Sequence, residues 1–180
     1  MLVSGGGTNL QALLDTLHDS PIARIARVIS NRPDAGALDR ARRSTVPAVV
    51  LKKASDAAEL LEALHDIEIV VLAGYLKLVP AAVVRQFRGR MINIHPALLP
   101  DFGGPGMYGH HVHEAVLASG ATESGATVHF VDEVFDRGEI IAQERVPVEP
   151  GDTPEKLAAR VLEAEHRLLP RVVLELARKL

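Results

Sequence analysis

Short apolar runs rich in β-branched residues alternate with segments of helical period through the first half of this chain, and no other feature narrows its fold as far. Parallel strands can return to the same edge of a sheet only through a long crossover, usually a helix, so this alternation commits the chain to an α/β architecture. The runs predict strands over 1–3, 25–29, 48–51, 69–72 and 90–94, with helices over about 9–18, 35–43, 55–64 and 81–87. Beyond residue 120 the pattern changes. Residues 126–131 and 139–146 read as two strands joined by a short Asp136-Arg-Gly138 turn, which suits an antiparallel pair, and a further helix is expected around 112–118. Thr153-Pro154-Glu155 is a helix start, with threonine as cap and proline in the first turn; its periodic pattern runs to Leu169, and Pro170 is expected to kink or restart it. The expected fold class is an open twisted, mostly parallel sheet flanked by helices, with an antiparallel pair in the C-terminal half.

At 180 residues with 47% hydrophobic content, the chain is large enough for one sizeable core, and it shows no repeat or linker that would divide it. One domain over residues 1–180 is expected. A net charge of −3 and a pI near 6.2 supply no global attraction to nucleic acid or to an anionic membrane. The absence of cysteine excludes disulfides, thiol catalysis and cysteine-ligated metals. There is no apolar stretch of the ~18 to 20 residues that spanning requires, and no hydrophobic signal core at the N-terminus, so the expected setting is the cytoplasm.

The chemistry concentrates in Met91-Ile-Asn-Ile-His-Pro-Ala-Leu-Leu-Pro100. Residues two apart on a strand face the same way, so Asn93 and His95 are presented together just before a turn forced by the prolines. An amide can donate to a developing oxyanion, and an imidazole can handle a proton near neutral pH. Asp136, in the later Asp136-Arg-Gly138 turn, supplies a carboxylate to orient the imidazole. The three suit transfer of a one-carbon acyl group to an amine carried by the substrate, a reaction that needs no nucleophilic side chain. A carboxylate near His95 is expected to raise its pKa and favour the imidazolium.

A second site lies at Ser4-Gly-Gly-Gly-Thr-Asn-Leu-Gln11, between the first strand and the first helix, where free backbone N–H groups and the helix dipole favour phosphate. Leu10 stands where a dinucleotide fingerprint has its third glycine, and no Gly-Lys-Ser/Thr follows, which argues against NAD and ATP. The glycine-rich 103–109 stretch reads as a loop beside the site. His110, His111 and His113 have ligand-type side chains, but adjacent histidines cannot both point inward from a regular element, and no metal is assigned to them. Glu163, Glu165 and His166 lie on a helix where charged residues ordinarily face solvent.

Taken together, Ser4–Gln11, Leu72-Ala-Gly-Tyr75, Asn93–Pro100, Gly125-Ala-Thr-Val-His-Phe130, Asp136-Arg-Gly138 and Glu165-His166 resemble the folate-dependent phosphoribosylglycinamide formyltransferases of purine synthesis over nearly the whole chain. The resemblance implies a Rossmann-like formyltransferase fold and attack of the phosphoribosylglycinamide amine on the formyl carbon of 10-formyltetrahydrofolate, without a metal. Carried onto this sequence, it implies that Gly7, Thr8, Asn9 and Glu165 hold the phosphoribosyl substrate. Leu76, Lys77, Leu78, Val79, Asp132 and Asp136, together with Asn93, would line the folate site; Asn93, His95 and Asp136 would be catalytic, supported by Thr127 and His129. It also implies small-molecule partners alone and a monomer or homodimer. The chain departs from that family in having only Met1-Leu-Val3 ahead of the glycine turn, and its 101–110 loop is longer than the family's shortest version. A strand extended ahead of Met1 is expected to be more stable, through added ladder bonds and buried area.

Overall fold

The structure, a computed structural model, describes all 180 residues, Met1–Leu180. Its seven strands are β1 (Leu2–Val3), β2 (Val28–Ser30), β3 (Ala48–Val50), β4 (Val70–Ala73), β5 (Met91–His95), β6 (Glu123–Phe130) and β7 (Ile140–Pro147). They form one sheet in the order β3-β2-β1-β4-β5-β6-β7. The first five run parallel, whereas β5–β6 and β6–β7 pair antiparallel. The helices are α1 (Thr8–Leu17), α2 (Gly36–Arg43), α3 (Ala57–Ala63), α4 (Ala81–Gln86), α5 (His110–Ala118) and α6 (Pro154–Ala177). Both the mixed topology and the alternation of strand and helix agree with the sequence reading.

Helices cover both faces of the sheet, so its central strands are apolar on each side. Val71 and Ala73 of β4, with Ile92 and Ile94 of β5, enter a core shared with α1, α2 and α6. Val70, Leu72 and Met91 enter a second core with Leu60 of α3 and Val83 and Val84 of α4. In α1, the buried residues Leu10, Leu13 and Leu17 fall at helical spacing.

Three expectations change. The second strand begins at Val28 rather than Ile25. Its neighbour β1 pairs Leu2 with Ile29 and reaches no further back than Met1, whose amino group donates to the Arg27 carbonyl at 2.7 Å; residues 25–27 therefore lack a ladder on that side. The link from β6 to β7 is longer than a tight turn, since β6 ends at Phe130 and β7 begins at Ile140. Finally, Pro170 does not restart the last helix, which continues as one 24-residue element to Ala177. Proline inside a helix costs about 3 kcal/mol, and burial of Leu168, Leu169, Val172 and Val173 around it offsets that cost.

Candidate active site

The chain runs from β1 outward to β2 and β3, then crosses back to β4 on the other side of β1. Such a reversal leaves a crevice beyond the C-terminal strand ends, because the flanking connections diverge to opposite faces. Here that crevice is a cavity of about 510 Å3, lined by the glycine turn after β1, the 74–79 loop after β4, the end of β5, the 104–109 loop and the β6–β7 link. Leu162 and Glu165 of α6 complete it.

Asn93 and His95 stand on the same face of β5, opposite His129 and Thr127 of β6 in register. His95 is almost fully buried, and its Nε2 donates to the Phe102 carbonyl at 2.8 Å, an oxygen that can only accept. That bond places the proton of the neutral ring on Nε2 and turns Nδ1 toward Asp136 Oδ2, 3.6 Å away. His129 Nδ1 donates to the Phe130 carbonyl at 2.8 Å, so in the neutral ring Nε2 accepts from Asn93 Nδ2 at 3.1 Å; Nε2 also lies 3.5 Å from Asp136 Oδ1, to which a protonated ring would donate. The amide of Asn93 is thereby oriented, with Nδ2 also 3.5 Å from Asp136 Oδ1.

Asp136 has a left-handed backbone, φ 55°, uncommon outside glycine. The Gly104 N–H donates to its Oδ2 at 2.9 Å. Two residues on, Gly138 passes so close to β6 that an added Cβ would lie 1.7 Å from the Phe130 carbonyl oxygen, so only glycine lets the turn approach and aim Asp136 at the histidines. Thr127 acts one layer back. Its hydroxyl donates to Ala97 O at 2.6 Å and accepts from the Leu99 N–H at 3.1 Å, tying down the turn that follows His95.

The electrostatics reverse one expectation. Burial pushes His95 below the ordinary histidine value, and although Asp136 and the Phe102 carbonyl pull it back, they do not overcome that penalty. His95 therefore rests neutral at pH 7, not as the imidazolium. Burial alone would raise Asp136, but a proton on His129 Nε2, the charge of His95 and His129 in their protonated forms and the Gly104 N–H outweigh it as the carboxyl titrates, and keep its pKa below the ordinary value.

At the far end of the cavity, Gly7 is the cap residue of α1, in a left-handed conformation with φ 75°, and no side chain caps the helix. None of the backbone N–H groups of residues 5–10 has a protein acceptor. Such a row of donors at a helix start can hold an anion. Asn9 Nδ2 donates to Glu165 Oε2 at 2.5 Å, joining the turn to α6, while Asn9 Oδ1 is buried without a partner. Glu165 does not face solvent as its neighbour Glu163 does: it is 8% exposed, and burial raises its pKa to about 7 against the lowering bond from Asn9.

Leu76, Lys77 and Leu78 are exposed along one wall, with Val79 buried behind them. Asp132 lies on the opposite link, where its Oδ1 accepts from the Val134 N–H at 2.8 Å and shapes the turn. Leu76, Leu78, Tyr108 and Val134, each 44–56% exposed, give this end an apolar rim. The 110–113 histidines do not gather around a common point; His110 and His111 face solvent while His113 is buried. Sequence reasoning did not reach the Phe102 carbonyl or the Gly104 N–H, since backbone groups carry no residue signature.

A family model described as formyl transferase matches residues 1–173, and the chain belongs to that family. Among its relatives, a chloroplastic phosphoribosylglycinamide formyltransferase of Arabidopsis thaliana is 45% identical over 183 residues, covering 96% of this chain and 63% of the plant protein. A phosphoribosylglycinamide formyltransferase of Haemophilus influenzae is 39% identical, covering 96% of this chain and 84% of its own length. The crystal structure of glycinamide ribonucleotide transformylase 1 from Symbiobacterium toebii superimposes with a TM-score of 0.91 at 42% identity, over 99% of this chain and 86% of that one. The chain thus spans about three fifths of the plant relative and most of the bacterial ones.

Proposed function

We propose that this chain transfers the formyl group of 10-formyltetrahydrofolate to the amine of N1-(5-phosphoribosyl)glycinamide, a step of purine biosynthesis. One observation carries the reading: a single cavity holds a row of free N–H groups suited to phosphate at one end, an apolar rim suited to a flat heterocycle at the other, and the Asn93, His95 and Asp136 side chains. The names borne by the Haemophilus and Symbiobacterium relatives agree with it.

In this reading the substrate phosphate takes the N–H groups beside Gly7, Thr8 and Asn9, and Glu165 contacts the same substrate. Leu76, Lys77, Leu78, Val79 and Asp132 flank the folate. The neutral amine attacks the formyl carbon, forming the C–N bond as the carbonyl oxygen becomes an oxyanion. Asn93 Nδ2 donates to that oxygen, which gains charge only as the reaction proceeds. His95, resting neutral, takes the proton released by the amine on Nδ1, where Asp136 stabilises the imidazolium. That proton passes to the folate nitrogen as the old C–N bond breaks, giving the formylated nucleotide and tetrahydrofolate. No metal enters any step.

The test is to follow folate release from 10-formyltetrahydrofolate with and without phosphoribosylglycinamide and to analyse the nucleotide for formylation. Release that depends on the nucleotide and yields its formyl derivative is expected. Release at the same rate without nucleotide would replace this reading with a hydrolase, and nucleotide binding without turnover would replace it with a binding module.

A further inference from the structure

The N–H groups of residues 5–7 are free, whereas the carbonyl of each of the same three residues has a donor. Gly7 O accepts from the Gln11 N–H at 3.0 Å, the first bond of α1. The other two bonds come from α2: Gly5 O accepts from the Ala37 N–H at 3.1 Å, and Gly6 O accepts from Arg40 Nε at 2.8 Å. Arg40 Nη1 also donates to Gln11 Oε1 at 3.2 Å, tying the same guanidinium to α1. The fit is close as well as polar. A Cβ added to Gly7 would lie 2.6 Å from Ala37 Cβ, and one added to Gly36 would lie 3.5 Å from Gly6 Cα.

We propose that α2 is the element that sets the glycine turn for phosphate, with Arg40 as its positioning residue. This rests on the phosphate reading of the turn given above. Arg40 does not line the cavity, so it acts on the ligand through the turn. A peptide unit has its C=O and N–H on opposite sides, so holding a carbonyl toward α2 points the following N–H away from it, into the cavity. Arginine suits the task because its planar fork bonds Gly6 O and Gln11 Oε1 at once, and it forms no ion pair with a carboxylate that would draw it off. The same unpaired charge adds a favourable field for an anion at the helix start.

The experiment compares wild type, Arg40→Met and Arg40→Lys with inorganic phosphate as probe, read as the rise in Tm with phosphate and as 15N amide shifts of Gly5–Gly7. Formyl transfer is measured in parallel. Wild type is expected to show both responses, and Arg40→Met to need roughly tenfold more phosphate for the same effect, on the scale of a lost charged hydrogen bond. Arg40→Lys should fall between, since one ammonium cannot span both acceptors. In turnover, the loss in Arg40→Met should fall on KM for the phosphoribosyl substrate. A wild type with no phosphate response would overturn the phosphate reading itself. A normal wild-type response retained in Arg40→Met or fully in Arg40→Lys would overturn the positioning role alone. Equal damage to kcat and to the folate KM would overturn it too, since general loosening would then explain the variant.

Discussion

Asn93 Nδ2 lies 3.1 Å from His129 Nε2, the two residues being directly opposed across the β5–β6 ladder. Because the other nitrogen of His129 is held by the Phe130 carbonyl, this contact makes His129 the residue that decides which way the amide points. A flipped amide would present its oxygen to an oxyanion and repel it. In the proposed mechanism, the donor to the oxyanion is therefore set from the neighbouring strand, through a residue that need not touch the substrate.

Asn93→Ala, His95→Ala and Asp136→Asn are each expected to lower turnover by roughly 10² or more, the scale of a lost oxyanion donor or acid–base group. His129→Phe, which keeps a planar ring, though a larger one, but frees the Asn93 amide, should lower kcat roughly tenfold while leaving the KM for folate nearly unchanged. His111→Ala is the control, since its side chain is 64% exposed, pairs with Glu114, meets the Tyr108 ring edge-on and does not line the cavity, and its kcat should match wild type. Steady-state kinetics on the set decides; wild-type rates in the first three variants would remove the proposed chemistry.

The pH profile of kcat with both substrates saturating should report His95, because Glu165, which titrates near 7, acts on substrate binding and so falls on KM. As its pKa is lowered by burial, the ring stays neutral below pH 6.5, and activity should hold to below that value before an acid limb appears. Asp136 raises the His95 pKa, so in Asp136→Asn the residual activity should show its acid limb at lower pH still. An acid limb of kcat above pH 6.5 in wild type would show that burial does not lower the His95 pKa.

Glu165 should trade stability for binding. Its folded pKa of about 7 stands above the ordinary 4.5, so folding favours the protonated form. Stability from this group is complete below pH 4.5 and is lost as pH rises toward and through 7, by at most roughly 3 kcal/mol. Glu165→Gln keeps the shape without the charge. Its Tm is expected to match wild type near pH 4.5, to exceed it at pH 8, and to come with weaker binding of the phosphoribosyl substrate. Parallel Tm curves across that range would contradict the burial argument.

The α-amino group of Met1 is buried beside the sheet, which lowers its pKa to about 5, with Arg27 adding to the effect. A charged amine is penalised there, so stability from this group is present above pH 8 and lost as pH falls through 5. Beyond it lies a second cavity of about 460 Å3 between residues 20–27 and 66–69, with Ile25, Ile67 and Ile69 on its walls. Adding three or four β-branched residues ahead of Met1 is therefore expected to raise Tm through ladder bonds and burial, and to raise it more at pH 6 than at pH 8.5. Equal melting of the two chains by calorimetry would refute this.

What the sequence determined by itself was whatever depends on local periodicity and residue type. The alternation of strand and helix, the antiparallel pair, the Thr153 cap and the shared face of Asn93 and His95 all follow from spacings of a few residues, and each appears in the structure. The match of its motifs to the formyl transferase family was legible for the same reason. Only the tertiary structure decided how those residues behave. Pro170 continues a helix because the core on both sides outweighs one missing hydrogen bond. Glu165 is buried because α6 packs against the glycine turn, through a contact between residues 156 positions apart. His95 is neutral because desolvation, a property of everything packed around it, exceeds the attraction of one nearby carboxylate. Burial and charge at a site are sums over neighbours distant in sequence, and no local pattern carries those sums.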